Sequence, residues 1–258
     1  MTWLEREQQG RDAVNSFLAQ ACVFLLPGAG PPPAPDVASG TLISTPSGHL
    51  VVLTAKHIAA EAITSKYRLG YHRCPDVIPD FVAGVALHPD NVDVGLMLVK
   101  NSAVPTLRDL PVSYTSVPND GSESSAGDAL VINGFPAAAS YYTETQAVQG
   151  FHLFTYWCHD GEPPVDARKR YRLAWRNLPG VESDVDFQAV PPGGMSGGPL
   201  WSFRNAPLGS VWSPVGTGRL IGIQSSWDRK DTLFVEPLAK WSAWFHKTVQ
   251  HVDTYFHA

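Results

Sequence analysis

The sequence contains few cysteines and no apolar leader at its start. Cys22, Cys74 and Cys158 are an odd number at wide spacing, unlike the dense, even sets that hold small secreted scaffolds together. The first twelve residues are charged from Glu5 onward and lack the apolar core of a secretion signal. These absences predict a cytoplasmic protein whose fold does not depend on disulfides.

Long apolar runs and basic clusters are also missing. The longest uncharged apolar stretch near the start, residues 21–27, is far shorter than the roughly 20 residues that cross a bilayer. Lys and Arg number 19 against 24 Asp and Glu, and the longest basic block is the triplet at 168–170. A surface that follows a phosphate backbone is therefore not expected. Neither a membrane nor a nucleic acid is predicted as a partner.

The sequence is rich in short apolar runs separated by turn residues. Of the 258 residues, 44% are hydrophobic, and 22 are Gly and 22 are Pro, which favours many turns around a sizeable core. Runs 41–44 and 50–54 flank a Pro and Gly turn and predict a β-hairpin. Further predicted strands are 22–26, 81–87, 92–99, 129–133, 151–157, 171–175, 198–201 and 220–224. This pattern is typical of antiparallel barrels or sandwiches.

Amphipathic patterns occur at both ends of the chain. Apolar residues recur at helical intervals between Trp3 and Ala21, and again at spacings of three and four from Pro237 onward. Residues 101–128 are rich in Ser, Pro, Asp and Gly, which is typical of a connector. We expect a helix at each end and a connector between two halves.

Three short stretches carry chemically useful residues, although each alone is typical of ordinary structure. They are Leu53-Thr-Ala-Lys-His57-Ile, Asn91-Val-Asp93-Val-Gly-Leu and Pro192-Gly-Gly-Met-Ser196-Gly-Gly-Pro-Leu200. Asp93 stands out, because a carboxylate inside an apolar strand is costly unless another group pairs with it. We therefore expect Asp93 to be buried beside a partner.

Together and in this order, the stretches resemble the His, Asp and Ser motifs of the trypsin-like (chymotrypsin-fold) serine peptidases. Thr54-Ala-Lys-His57 resembles Thr-Ala-Ala-His, and Asp93-Val-Gly-Leu resembles Asp-Ile-Ala-Leu. Gly194-Met-Ser196-Gly-Gly-Pro-Leu resembles Gly-Asp-Ser-Gly-Gly-Pro-Leu. The resemblance implies a mainly β fold of two antiparallel six-stranded β-barrels, with a helix at each end and a site in the cleft between the barrels.

The resemblance also implies a division of the chain. Residues 1–37 form an N-terminal helix and a Pro/Gly-rich loop that lie outside the resemblance. Residues 38–115 form the first barrel, which carries the histidine and the aspartate. Residues 116–258 form the second barrel, which carries the serine, and the C-terminal helix.

By this resemblance Ser196 is the nucleophile, His57 the general base and then acid, and Asp93 the group that orients the imidazole. A serine hydroxyl is a poor nucleophile until a neutral imidazole accepts its proton, and a carboxylate selects the right imidazole tautomer. The N–H groups of Gly194 and Ser196 would form the oxyanion hole.

Four residues are candidates for substrate binding by the same resemblance. Ser225, Ser226 and Trp227 stand where the family has a strand that pairs with the substrate backbone, and Ser225 would also support Asp93. Val190 falls near the floor of the primary specificity pocket, where an Arg- or Lys-specific enzyme needs a carboxylate. The bulk of Trp227 would shorten that pocket. We expect a small or medium apolar residue at the cleavage site.

The sequence departs from the family at two informative positions. Met195 replaces the aspartate that pairs with a newly cut N-terminus in secreted members, and Ile58 replaces their cysteine. Because a thioether cannot form that ion pair, the oxyanion loop must be ordered by local packing or by an activating protein partner or substrate.

The predicted function is a serine endopeptidase that cleaves protein or peptide substrates, without a cofactor or a metal. Potential metal ligands lack the paired spacings of zinc sites; they are His152, Cys158, His159 and Asp160. Two alternatives stay open at this point. One is a catalytically idle peptidase fold that binds proteins or peptides, and the other is an esterase with the same triad.

Overall fold

A computed structural model describes most of the chain, which is mainly β. The described residues are 3–28, 37–71, 77–107, 112–119, 128–137, 141–142, 148–149, 154–158, 163–174, 191–204 and 213–255. Five α-helices occur in these ranges: α1 (Trp3–Ala21), α2 (Lys56–Glu61), α3 (Val104–Leu107), α4 (Pro214–Thr217) and α5 (Ser242–Tyr255). Helices α1 and α5 confirm the predicted terminal helices. No described helix is long and apolar enough to cross a membrane.

The first sheet comes from the first half of the chain. Its strands are β1 (Cys22–Pro27), β2 (Ala38–Ser44), β3 (Leu50–Thr54), β4 (Tyr67–Tyr71), β5 (Ile78–Pro79), β6 (Val82–Leu87), β7 (Gly95–Val99) and β8 (Val112–Ser113). The order is β5-β4-β1-β2-β3-β7-β6, all antiparallel, and β8 adds to β2 in parallel. The register of β2 with β3 confirms the predicted hairpin.

The second sheet comes from the second half of the chain. Its strands are β9 (Ala129–Gly134), β12 (Phe154–Cys158), β13 (Tyr171–Ala174), β14 (Pro199–Phe203), β15 (Gly218–Trp227) and β16 (Thr232–Pro237). The order is β12-β9-β14-β15-β16-β13, antiparallel throughout. Two further strands, β10 (Tyr141–Tyr142) and β11 (Val148–Gln149), pair only with each other.

These two curled antiparallel sheets confirm the predicted fold class, with one difference in strand number. The second sheet has six described strands, whereas the first has eight, because the two-residue strands β5 and β8 extend it. Strand β1 pairs with both β2 and β4. The first sheet therefore begins at Cys22 and not at the predicted boundary of residue 38, because the backbone groups of β1 are satisfied by that sheet.

Several strands are buried on both faces, which is why they are continuous apolar runs in the sequence. In β3, Leu50 and Val52 pack inside the first sheet, while Val51 and Leu53 pack against the second sheet and the terminal helices. Successive side chains of a strand point to opposite faces, so a strand buried on both faces has no polar alternation. Packing on both faces therefore fixes the position of β3, and with it the start of the segment that carries His57.

Helix α1 lies against the second sheet. Phe17 meets Trp201 edge to face with 5.3 Å between ring centroids, and Leu18 is fully buried in the cluster shared by the two sheets. Aromatic pairs of this geometry stabilise by about 0.5–1.5 kcal/mol beyond the area they bury. The helix that precedes the first sheet therefore also braces the second sheet.

Candidate active site

His57 lies at the junction of β3 and α2. Ala55 keeps the extended backbone of the strand, and the helix begins at Lys56, so His57 projects from the first helical turn. Its side chain is 50% exposed. Because β3 is buried on both faces, this imidazole stands at the end of a rigid element and is still open to solvent.

Asp93 pairs with His57, as the sequence predicts for a carboxylate at this position. The Oδ2 atom of Asp93 lies 2.9 Å from the imidazole Nδ1, and its Oδ1 accepts the backbone N–H of His57 at 3.0 Å. A carboxylate at Nδ1 favours the tautomer that carries its proton there and leaves Nε2 as an acceptor. The pair therefore presents a base to solvent.

The predicted burial of Asp93 inside a strand is wrong. The residue lies two positions ahead of β7, which begins at Gly95, and its side chain is 28% exposed. The buried strand is 95–99, whereas Asp93 belongs to the loop that leads into it. A loop carboxylate retains partial hydration, so its pairing with His57 does not have to offset full burial.

Ser196 lies in a tight turn that precedes β14. The N–H of Met195 donates to Pro192 at 3.1 Å, and the N–H of Gly198 donates to Met195 at 2.7 Å. Gly194 adopts φ +96° and Gly197 φ +87°, in the left-handed region that favours glycine. Within the described part of the chain, the N–H groups of Gly194 and Ser196 donate to no protein acceptor. Neither of these two donors beside the serine is used by an acceptor in the described residues.

The turn is fastened to the first sheet through Ser39. The carbonyl of Ser196 accepts the N–H of Ser39 at 2.8 Å, and the Ser39 hydroxyl donates to the carbonyl of Gly194 at 3.1 Å. Thr54 in turn donates its hydroxyl to the carbonyl of Ser39 at 2.7 Å. Because Thr54 ends the strand that leads to His57, these bonds bring the serine turn and the histidine to the same junction between the sheets.

The hydroxyl of Ser196 makes no hydrogen bond to His57 among the described residues. Catalytic hydrogen bonds are often long in the absence of substrate and tighten on binding. The structure thus brings His57 and Asp93 into contact and holds the Ser196 turn at the same junction without a Ser196 to His57 bond.

Met195 orders this turn by packing. Its side chain is fully buried in the core of the second sheet, and a Cβ on Gly134 would lie 3.1 Å from it. The expectation that local packing replaces the family's ion pair therefore agrees with the position of this thioether. The turn thus has an apolar anchor in the core of the second sheet.

Comparison with solved structures places this geometry in a known fold. No family model and no curated protein matches the sequence. A serine endoprotease from Yersinia pestis aligns at a TM-score of 0.53 and 16% identity, over 93% of this chain and 66% of that one. The Rv3671c protease from M. tuberculosis, in its active form, aligns at 0.48 and 18%, over 92% and 84%. The chain has a chymotrypsin-like double β-barrel fold. It spans less than two thirds of the Yersinia protein's length.

In this chymotrypsin-like fold, the predicted support of Asp93 by Ser225 is wrong. The Ser225 hydroxyl donates to the carbonyl of Phe234 at 3.2 Å. The register of β15 with β16 shifts between Gln224 and Ser226, so Ser225 sits in a β-bulge. A bulge redirects the side chain of its extra residue, and here it turns the hydroxyl toward the neighbouring strand.

The other predicted substrate-binding residues have defined but different surroundings. The hydroxyl of Ser226 accepts from Arg170 at 3.2 Å, and Arg170 is itself paired with Asp166 at 2.7 Å. Trp227 packs partly buried against the core of the second sheet. Val190 and the candidate metal ligands His152, His159 and Asp160 lie outside the described residues, as does the side chain of Cys158.

Sequence reasoning missed the polar residues that hold the site together. Ser39 accepts the N–H of Phe135 at 2.9 Å besides its bonds to the serine turn, although it lies in a buried strand. Lys56 reaches the loop that carries Asp93. A serine inside an apolar strand and a lysine beside the motif histidine were the available signals, since both are costly unless they find partners.

Proposed function

We propose that this chain is a serine endopeptidase that cleaves protein or peptide substrates through an acyl-enzyme. Ser196 attacks the scissile carbonyl, and His57 Nε2 accepts the hydroxyl proton. The same proton then passes to the leaving amine, and a water molecule, activated by His57, hydrolyses the ester. Asp93 holds the imidazole tautomer and stabilises the imidazolium.

The observation that carries this proposal is the contact of His57 Nδ1 with Asp93, 2.9 Å long and partly exposed. A structural histidine more often has both ring nitrogens satisfied within the protein. Here the carboxylate engages Nδ1, no bond to Nε2 occurs among the described residues, and Ser39 and Thr54 fasten the serine turn to the same junction.

The free N–H groups of Gly194 and Ser196 support an oxyanion hole. Both belong to a turn whose left-handed glycines admit no side chain, because a Cβ on Gly194 would lie 2.6 Å from the nitrogen of Ala137. Donors fixed in this way need no reorganisation as charge develops on the substrate oxygen. Each contributes on the order of 3 kcal/mol of transition-state stabilisation.

The edge of β15 supports substrate binding by strand addition. Residues 226 and 227 pair with β16 on one side, while the pairing with β14 ends at Ile223. The opposite edge of Ser226 and Trp227 thus has no strand partner in the described part of the sheet. We propose that the substrate backbone pairs there, and that Val190 and Trp227 favour a small or medium apolar residue. A peptide-library profile dominated by Arg or Lys would contradict this preference.

Labelling with a fluorophosphonate tests the proposed nucleophile. Wild type should react at Ser196, identified by peptide mass spectrometry, whereas Ser196→Ala and His57→Ala should not. Ser65→Ala, which removes a serine from the turn after α2, is the matched control and should label as wild type does. Peptide hydrolysis should be lost in the same two variants, and their double variant should lose little more, because the triad acts as a unit.

A second candidate is a catalytically idle fold that binds proteins or peptides. It is favoured by the missing hydrogen bond between Ser196 and His57 among the described residues. An activating partner or the substrate itself would then complete the site. Wild type that stays unlabelled with and without candidate activators, and that still binds peptides, would support this second function, and turnover of small esters without peptide cleavage would indicate an esterase.

We also propose that the protein acts in the cytoplasm. Cys22 is a fully buried free thiol, and unpaired cysteines are the usual state in a reducing compartment. Detection of the protein in fractionated cells tests this location.

A further inference from the structure

Lys56 stands between the two elements that carry the candidate acid–base pair. It is the first residue of α2, and His57 follows it directly. Its ammonium donates to the carbonyl of His88 at 2.6 Å and to the carbonyl of Asp90 at 2.9 Å. Both carbonyls belong to the segment 88–93 that ends at Asp93. One side chain therefore joins the histidine helix to the aspartate loop.

The 88–93 segment is also held at His88, which is buried, lies 5.2 Å from the Trp244 ring between centroids and hydrogen-bonds the backbone of Lys240. Its ends are joined by the N–H of His88, which donates to Val94 at 3.1 Å. The N–H of Asp90 donates to His88 Nδ1 at 3.2 Å, which requires a neutral imidazole, and burial lowers the pKa of His88 accordingly. Residues 89–91 are exposed. The two bonds from Lys56 are thus the ties of this loop to the helix that bears His57, apart from Asp93 itself.

We propose that Lys56 is a positioning residue, which holds the 88–93 loop so that the Asp93 carboxylate stays in register with His57. The inference rests on the proposed serine peptidase function, and it deepens the account of that site. Lys56 acts through Asp93 and touches neither substrate nor the reacting atoms. An ammonium suits this role, since it can donate to several carbonyls at once.

Three variants separate this role from a general effect of charge or stability. Lys56→Met removes the ammonium and keeps a long apolar stem, while Lys56→Arg restores a multidentate cation. Lys100→Met is the matched control, because Lys100 also carries an ion pair of the first sheet, with Asp80 at 2.8 Å, but has no hydrogen bond or ion pair with the 88–93 loop among the described residues. All three should be compared at equal concentrations of folded protein.

The first readout is the tautomer of His57, measured from the ring ¹⁵N shifts of histidine-labelled protein and assigned with His57→Ala. In wild type and Lys100→Met the proton should reside on Nδ1. In Lys56→Met the shifts should move toward the mixture found in a free imidazole, and Lys56→Arg should restore them. Unchanged ¹⁵N shifts in Lys56→Met would overturn the proposal whether or not the protein is a peptidase.

The second readout is peptide hydrolysis. Lys56→Met should lower kcat by about tenfold to a hundredfold with little change in KM, as for a misplaced catalytic group. In a protein that already carries Asp93→Asn, adding Lys56→Met should lower kcat by less than about a further threefold, because Lys56 acts only through Asp93. Multiplied losses in that double variant would also overturn the proposal. Wild type without turnover both with and without candidate activators, but with the expected ¹⁵N changes, would refute the peptidase function and leave the positioning role standing.

Discussion

Replacing Gly197 with alanine should separate the serine turn from the first sheet. A Cβ at this position would lie 2.1 Å from the Ser39 carbonyl and 2.1 Å from the Thr54 hydroxyl oxygen. These two atoms are the acceptor and the donor of the hydrogen bond between Thr54 and Ser39, and Ser39 is the residue whose N–H and hydroxyl fasten the turn. Because one of the two atoms is backbone, the clash cannot be relieved by rotating a side chain, and the turn itself has to move.

The magnitude follows from two separate costs. Gly197 has φ +87°, and a left-handed backbone costs an L-residue about 1–2 kcal/mol. Forcing a methyl group into an occupied space costs a further 1–3 kcal/mol or so. Gly48 offers a matched control, since it has φ +84° and no atom within 4 Å of its Cβ position. Gly48→Ala should therefore cost only the first amount.

Urea unfolding followed by tryptophan fluorescence measures both variants. Gly197→Ala should lower the free energy of unfolding by about 2–5 kcal/mol, and Gly48→Ala by about 1–2 kcal/mol. The rate of fluorophosphonate labelling should fall in Gly197→Ala, because Ser196 is displaced from the junction, and should stay at the wild-type value in Gly48→Ala. Equal destabilisation by the two variants would refute the reasoning, since it would mean that the close approach to Ser39 and Thr54 does not exist.

Two further predictions concern other parts of the structure. Burial lowers the pKa of His246, whose Nδ1 contacts the Tyr114 hydroxyl. An unfolded chain takes up this proton near pH 6.5 while the folded chain does not, so stability should fall as the pH drops below about 6.5. His246→Gln should reduce the slope of that fall, and equal slopes in urea titrations would contradict the assignment. Met195 is fully buried, so Met195→Asp should lower the free energy of unfolding by about 3–5 kcal/mol and slow labelling, whereas Met195→Leu should cost less than about 1.5 kcal/mol. A Met195→Asp protein as stable as Met195→Leu would show that another group pairs with the carboxylate.

Local sequence patterns were sufficient for most regular elements. The β2–β3 hairpin was predictable because β-branched runs flank a Pro and Gly turn, and the terminal helices because apolar residues recur at helical spacing. Strand β4 and the short helix α2 were missed. Both depend on neighbours, since β4 pairs with β1 and β5 and a six-residue helix has too few internal bonds to be stable alone.

Site residues were predictable where a motif contains side chains with acid–base or nucleophilic chemistry. His57 and Asp93 lie 36 residues apart in sequence, and the motif order pointed to their contact. The role of Ser225 was predicted wrongly, because a bulge shifts the register by one residue and a strand pattern contains no sign of it. The exposure of Asp93 was also misjudged, since the apolar residues that follow it belong to a strand that begins only at Gly95.

The residue pattern alone determined that this chain is rich in antiparallel β structure, and the resemblance of three motifs to a known family implied the double barrel and pointed to a histidine, a carboxylate and a serine as reactive candidates. Only the tertiary structure decided how those residues are held. The bonds from Ser39 to the serine turn and from Lys56 to the 88–93 loop join elements distant in sequence. Such bonds form because buried or constrained polar groups must find partners in space, and one-dimensional spacing does not specify which partners those are.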